Sequence, residues 1–186
     1  MGQYLASGLV YEMKASLDEL HKKKISNEEL RQEIEQTLLF DLNLYDETET
    51  DKALLFTLKN QVLENDLIPF LETFYPMIYE NSDYEECNDV LKELRSTPVE
   101  KWPGLAEEAR YMPFRYDKYA ESHYIRFSKA FRPSICLDCE CLMLYYGWGK
   151  IVTEGIDDFL HFFKQCINAT FKSHLIAKSM QVYISS

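Results

Sequence analysis

The chain has 186 residues, of which 46% are hydrophobic and 14% aromatic, and its net charge is −11. This length fits one domain with a sizeable core, and this composition excludes a disordered chain. The acidity disfavours binding to nucleic acid or to an anionic membrane, because phosphates and an excess of carboxylates repel each other. It favours a basic partner.

The chain's start lacks the basic and apolar regions of a signal peptide, and no apolar run approaches the roughly 18 residues that span a membrane. The five cysteines are an odd number, without the spacing of a secreted disulfide framework. The sequence therefore predicts a cytoplasmic protein with reduced thiols and no contact with membranes.

Apolar and polar residues alternate over 3–14, which predicts a strand. Ser16 with Glu19 then forms a capping box that opens a short helix. A second capping box, Ser26 with Glu29, opens another helix. The apolar stripe predicted for that helix consists of Leu30, Ile34 and Leu38.

The acidic stretch 46–51 is predicted to be a loop, and the apolar run 52–59 a buried strand. The next helix, over 65–79, accommodates Pro69 if that residue lies in its first turn. Pro76 is then expected to kink or end it.

Ser82 with Glu85 forms a further capping box and predicts an amphipathic helix over 82–94. One more turn is expected to start at Thr97 and to break at Pro103–Gly104. The apolar stripe of the amphipathic helix consists of Cys87, Val90, Leu91 and Leu94.

The C-terminal third predicts a strand and a glycine-flanked turn within 139–152, a helix over 155–171 and an alternating strand over 176–185. These elements indicate a single α+β domain, 1–186: a sandwich of a small, mostly antiparallel sheet packed by helices, with a helical insert at about 80–130. The stretches 52–75 and 140–164 share a strand, turn and helix pattern, which suggests a ferredoxin-like arrangement.

Three of the five cysteines lie in the stretch 134–144. On a strand, Cys139 and Cys141 share one face while Cys136 lies on the other, so an extended chain cannot bring three thiolates together. The spacing of Cys136 and Cys139 would suit zinc if a turn and two further ligands were supplied. A buried core strand is the preferred interpretation, and no cofactor is predicted.

The segment 110–132 carries six bases against two acids, interleaved with aromatic residues. Arginine and tyrosine in this mixture can bind an anionic ligand, whereas a basic segment of an acidic protein can also dock on the protein's own carboxylates. Its poor periodicity predicts a partly buried loop with short helical pieces. The candidate ligand-binding residues are Arg110, Tyr111, Arg115, Tyr116, Tyr119, His123 and Arg126.

An acidic patch with aromatic residues is predicted at the start of the 82–94 helix. The helix macrodipole alone would explain acids at this position, but the tyrosines beside them favour a surface that steers a basic partner. The predicted partner-binding residues are Tyr79, Asp83, Tyr84, Glu85 and Glu86.

The chain contains no phosphate-binding loop, dinucleotide fingerprint, metalloprotease helix or nucleophile elbow, and no catalytic residue is predicted. The sequence favours a non-enzymatic intracellular protein that recognises a basic protein through the acidic patch. Immunity proteins, which neutralise toxins in bacterial competition, are also compact, often acidic and without catalytic motifs. This chain is similar to them in class alone, because no family motif is matched residue by residue.

Two alternatives remain open from the sequence. One is a small-ligand or zinc-binding protein that uses the cysteine-rich strand and the basic segment. It predicts bound zinc or thermal stabilisation by an anionic ligand. The other is a subunit of a larger assembly, which predicts an exposed apolar patch and self-association. The sequence does not fix the oligomeric state.

Overall fold

The computed structural model describes residues 4–78, 84–108, 110–111, 113–117, 123–125, 127, 134–146 and 174–185. This part of the chain forms five α-helices and seven strands. In chain order they are β1 Tyr4–Ser16, α1 Leu17–Lys23, α2 Asn27–Glu33, β2 Tyr45–Glu49, β3 Ala53–Leu58, α3 Asn60–Ile78, α4 Tyr84–Ser96, α5 Trp102–Glu107, β4 Arg115–Asp117, β5 His123–Ile125, β6 Ile135–Tyr146 and β7 Met180–Ser185. A π-helical turn, Ile34–Leu38, extends α2, and 3-10 helices cover Leu42–Leu44, Val99–Lys101 and Leu175–Ser179.

The sheet is built around the two long strands β1 and β6. They pair antiparallel with each other, and each has its outer edge divided between two further strands. On β1, β7 pairs with the N-terminal half and β3 with the C-terminal half. On β6, β5 pairs with the start and β4 with the later part. The hairpin partner β2 continues the sheet beyond β3, so the main strand order is β2-β3-β1-β6-β4.

Burial along β1 changes part-way through the strand. Residues 6–10 are buried on both faces, as are residues 141–145 of the neighbouring β6. Beyond this region β1 alternates, with Met13 and Ala15 buried and Lys14 exposed. The core therefore encloses one end of the two central strands completely and the other end on one face.

Two irregularities interrupt the pairing of β1 with β6. The first lies between Ser7 and Gly8, opposite Leu144, and the second leaves Tyr11 without a partner residue on β6. At the first, a Cβ atom on Gly8 would lie 2.6 Å from the backbone oxygen of Leu142. Glycine is required there because the two backbones approach too closely for any side chain.

The α+β class is confirmed, with an antiparallel sheet packed by helices. The ferredoxin-like arrangement is not confirmed. Ser16 accepts a hydrogen bond from the Glu19 amide at the start of α1, and the capping box of Ser26 with Glu29 opens α2. All four residues of the predicted α4 stripe are buried.

The prediction of a loop over 46–51 is wrong, because residues 45–49 form β2. Only Tyr45 is buried in this strand, and the four following residues are exposed, so the strand has no apolar alternation. What holds it is its hairpin with β3, together with the Tyr45 hydroxyl, which donates to the Val10 carbonyl at 2.9 Å.

The expectation for the proline-containing helix is also wrong. α3 begins at Asn60, nine residues before Pro69, and it continues through Pro76 to Ile78. Each proline lacks the N–H of a normal helical hydrogen bond, so packing must offset the loss. The side chains that α3 buries in the core include Leu63, Leu67, Phe70, Leu71 and Phe74.

Three smaller expectations are corrected. Pro103–Gly104 does not break the chain but lies inside α5, where the proline occupies the second position and needs no N–H partner. The final strand begins only at Met180, after a 3-10 helix. The described parts of the basic segment form the short strands β4 and β5 rather than helical pieces, because the outer edge of β6 pairs with them.

The predicted turn after residue 146 and the helix over 155–171 lie outside the described residues.

Candidate functional site

Helix α4 presents a row of carboxylates on its outer side. Its apolar stripe faces the core, and residues four apart in a helix lie on the same side. Glu85, Asp89 and Glu93 therefore line up opposite that stripe, with Glu86 beside them. Glu85 and Asp89 are exposed, while Glu86 and Glu93 are half-buried. We call these four residues the acidic stripe.

The C-terminal end of α4 is held by groups from neighbouring elements. The indole N–H of Trp102 donates to the carbonyl of Leu94 at 3.2 Å and to that of Thr97 at 2.9 Å, which satisfies backbone groups at the helix end. Arg95 forms an ion pair with Glu72 of α3. These contacts and the buried face fix the direction in which the acidic stripe points.

Two residues of the basic segment contact the acidic stripe. The Tyr111 hydroxyl lies 3.5 Å from a carboxylate oxygen of Glu93, and Arg110 lies 4.0 Å from the other oxygen while pairing with Glu108. Desolvation, followed by the negative charges of Glu93 and Asp89, raises the pKa of the Tyr111 phenol. The sequence placed the acidic patch and the basic segment in separate sites. In the structure, Arg110 and Tyr111 contact Glu93, which lies on the same helix as Glu85 and Glu86 but about two turns further along.

Three of the other predicted ligand-binding residues lie on the short strands that pair with β6. Arg115 and Tyr116 are half-buried on β4, and Arg115 pairs with Met143 of β6. His123 lies on β5 opposite Leu137 of β6. Leu137 is six residues from Met143, which corresponds to about 20 Å along the strand. The side chain of His123 and the whole of Tyr119 and Arg126 lie outside the described residues.

The predicted partner-binding residues are only partly described. Glu85 and Glu86 belong to the acidic stripe, and Tyr84 is the first residue of α4. Tyr79 and Asp83 lie outside the described residues, as does Ser82 of the predicted capping box. The assignment of these residues to partner binding stays a prediction.

The cysteines of β6 lie as strand parity predicts. Cys139 and Cys141 are buried in the core, and Cys136 is half-buried on the opposite face with its sulfur 3.5 Å from Asp138. Burial raises the pKa of the Cys139 thiol to about 12 and that of Cys141 well above its usual range. Both groups are therefore neutral thiols near pH 7, a poor state for binding metal or for nucleophilic attack.

Within the described ranges, no group of three or more His, Cys, Asp or Glu residues could hold a metal ion. The later residues that could supply the two further zinc ligands are His161, Cys166 and His174. Of these, His174 is described, and it contacts Asp66 rather than a cysteine. His161 and Cys166 lie outside the described residues.

Sequence reasoning did not predict a cavity of about 520 Å³ beside the end of the π-helical turn. Leu39, Phe40 and Met180 line it, together with Lys178, whose ammonium group binds Asp41 at 2.9 Å. Leu39 is 77% exposed and adopts a left-handed backbone with a φ of 61°. No pattern in the sequence brings residues 37–40 and 177–181 together, so only the fold could locate this cavity.

No family model, no curated protein and no solved structure matches this chain. No helix in the described part of the chain has the length and apolar character needed to cross a membrane.

Proposed function

We propose that this protein is a non-enzymatic intracellular binding protein that recognises a basic protein through the acidic stripe and the predicted partner-binding residues Tyr79, Asp83 and Tyr84. The observation that carries the proposal is the row of Glu85, Asp89 and Glu93 on one side of α4, with Tyr111 next to it. An immunity protein that neutralises a basic toxin is the kind of protein that fits best.

The electrostatics of the stripe support a partner that binds at its N-terminal end. Near the C-terminal end, Glu93 contacts Tyr111 and Arg110, and Asp89 pairs with Lys92 at 2.8 Å. Glu85, in the first turn, is exposed and has no ion pair within the described residues. A basic side chain of a partner would thus meet Glu85 first, and the molecule's net charge of −11 would attract it from a distance.

Tyrosine next to the carboxylates adds binding energy of a different kind. Tyr111 is half-buried and held by Glu93, so little conformational freedom is lost when its ring contacts a partner. Tyrosine and arginine are the residue types most often found at the centre of protein interfaces. Charge would determine the rate of association, and the aromatic contact would slow dissociation.

The first experiment is a pull-down from the source cells with the full chain as bait, at low and at high salt. We expect one basic protein in stoichiometric amount, captured more weakly at high salt. Its association rate is then measured with purified proteins. Replacing Glu85 and Glu86 with Lys should slow association by about tenfold or more at low salt, because electrostatic steering is worth that much.

The matched control replaces Glu35 and Glu64 with Lys, which changes the net charge equally at two exposed positions outside the stripe. An equal loss in both variants would contradict the proposal, because net charge alone would then account for binding. Thermal melts of both variants separate a loss of binding from a loss of α4, whose first turn is stabilised by acids.

A further inference from the structure

Strand β2 lies at one edge of the sheet. Within the described residues β2 pairs only with β3, and it is the first strand of the sheet order. Asp46, Glu47, Thr48 and Glu49 are all exposed. In the described part of the chain, the second side of this strand therefore has no partner strand.

The hydrogen-bond pattern shows which backbone groups point outward. At one end of the hairpin the Thr50 amide donates to the Ala53 carbonyl, and at the other the Lys59 amide donates to the Leu44 carbonyl, both at 2.9 Å. Residues of an antiparallel pair alternate between facing the partner strand and facing away. Tyr45, Glu47 and Glu49 therefore direct their amides and carbonyls away from β3.

The side chains of β2 are held in place from the neighbouring helix. Arg31 of α2 binds both carboxylate oxygens of Glu47, at 2.7 and 2.6 Å, and Asn27 donates to Glu49 at 3.2 Å. These contacts hold the Glu47 and Glu49 side chains, so a strand that docks here would meet a preorganised edge. Asp46 has no ion pair within the described residues and points to the other face of the strand.

The charge of the edge determines which strand it accepts. A second copy of this chain, pairing β2 with β2, would place these carboxylates against each other, and like charges opposite each other are destabilising in a sheet. Charged residues on an edge strand are a known protection against such self-pairing. A basic strand meets the opposite situation, since its lysines or arginines would lie beside Asp46 and Glu49, whereas the charge of Glu47 is already paired with Arg31.

We infer that β2 is a second docking site, at which an extended, lysine- or arginine-rich segment of a protein adds as a further antiparallel strand of the sheet. Main-chain hydrogen bonds would supply affinity, and the carboxylates would select for basic side chains. The inference shares with the proposed function only the sign of the partner's charge. It uses different residues, so each can fail without the other.

The test uses a capped hexapeptide of alternating lysine and valine, and the same peptide with an N-methyl group on every backbone amide. The two carry the same charge, but the methylated form cannot donate a main-chain hydrogen bond along either edge. We expect binding of the first peptide to shield the Glu47 and Glu49 amides from hydrogen exchange. The methylated peptide should bind at least about tenfold more weakly, as the loss of two hydrogen bonds implies.

A pair of variants tests the same contact from the protein's side. Glu47→Pro removes an amide that points away from β3, where proline is tolerated, and Glu47→Ala keeps this amide while removing the same carboxylate. We expect the proline variant to bind the first peptide about tenfold more weakly than the alanine variant. Replacing the exposed Glu35 and Glu64 with Lys should leave peptide binding unchanged at a salt concentration that screens long-range attraction.

Three results would overturn the inference. One is equal binding of the methylated and unmethylated peptides, which would mean attraction by charge alone. Another is unchanged exchange of the Glu47 and Glu49 amides at a peptide concentration that saturates the protein. The third is a dimer in solution that Glu47→Pro dissociates, because the occupant of the edge would then be a second copy of this chain.

Discussion

At the scale of single residues, Gly8 of β1 occupies a position that leaves no room for a side chain. Its position faces the Leu142 carbonyl so closely that a methyl group must displace the backbone of β6. We expect Gly8→Ala to lower the free energy of unfolding by about 1–3 kcal/mol, as overpacking of a core usually does. Urea denaturation followed by circular dichroism measures the effect.

Gly104→Ala is the matched control, because Gly104 lies in α5 and a Cβ atom there would have no neighbour within 4 Å. Alanine is favoured over glycine in a helix, so this variant should be unchanged or more stable by up to about 1 kcal/mol. Equal stability of the two variants would show that the β1–β6 pair can absorb the methyl group.

The cysteines show how much a sequence predicts about single residues. The alternation of a strand correctly placed Cys139 and Cys141 on one face and Cys136 on the other. The contact between Tyr111 and Glu93 could not be predicted in this way, because it joins two elements through tertiary packing. Side-chain direction follows from local periodicity, whereas side-chain partners follow from the path of the chain.

At the scale of elements, Asp66 of α3 holds the start of the C-terminal segment. One carboxylate oxygen accepts the Ile176 amide at 2.8 Å, and the other lies 2.6 Å from Nδ1 of His174. The His174 ring also packs edge-on against Phe70, with centroids 5.9 Å apart. Asp66 thus satisfies an amide of the 3-10 helix Leu175–Ser179 from another element.

We expect Asp66→Ala to lower the free energy of unfolding by about 1–3 kcal/mol, because the amide of the buried Ile176 and the ring of the half-buried His174 lose their acceptor. The hydrogen-exchange rate of the Ile176 amide should rise by a larger factor than the loss of global stability alone would produce. Glu64→Ala, at an exposed site on the same helix, is the control and should have little effect on either measurement. An Ile176 amide that remains protected in Asp66→Ala would contradict this role for Asp66.

The elements also show where a sequence pattern alone does not predict the secondary structure. β1 and α4 have clear apolar periodicity, and both were predicted within a few residues of their ends. β2 has four exposed side chains in five residues, so its strand conformation depends on pairing with β3 and not on its own pattern. α3 contains two prolines that local rules exclude, and its buried side chains outweigh them.

At the scale of the whole molecule, charged side chains connect parts of the chain that are far apart in sequence. Lys23 of α1 binds Glu19 at 2.5 Å and the Ser134 carbonyl at 2.5 Å, while Glu19 accepts the Cys136 amide at 3.3 Å. Lys178 joins the C-terminal segment to Asp41 in the same manner. Composition predicted the acidic charge and the pattern of elements predicted the α+β class, but neither predicted these pairings.

These contacts make stability depend on pH in a direction that the pKa shifts determine. The hydrogen bond from Lys23, aided by the Cys136 amide, lowers the pKa of Glu19 below its ordinary value of 4.5, and Lys178 does the same for Asp41. A carboxyl group with a lowered folded-state pKa stabilises the protein above the unfolded-state value. That contribution disappears as the pH falls through the folded-state pKa. Burial raises the pKa of Glu140. Ionised Glu140 therefore destabilises the folded protein, and this destabilisation is relieved as the pH falls.

Replacing Glu19 with Gln isolates one of these contributions. The variant should be less stable than the wild type at pH 7, and the difference should shrink as the pH falls below 4.5, because a protonated Glu19 resembles glutamine. Urea denaturation at pH 7, 5, 4 and 3 measures the difference, with Glu64→Gln as a control at an exposed site. A difference that stays constant from pH 7 to pH 3 would mean that the ionised Glu19 carboxylate does not stabilise the folded protein through its pair with Lys23.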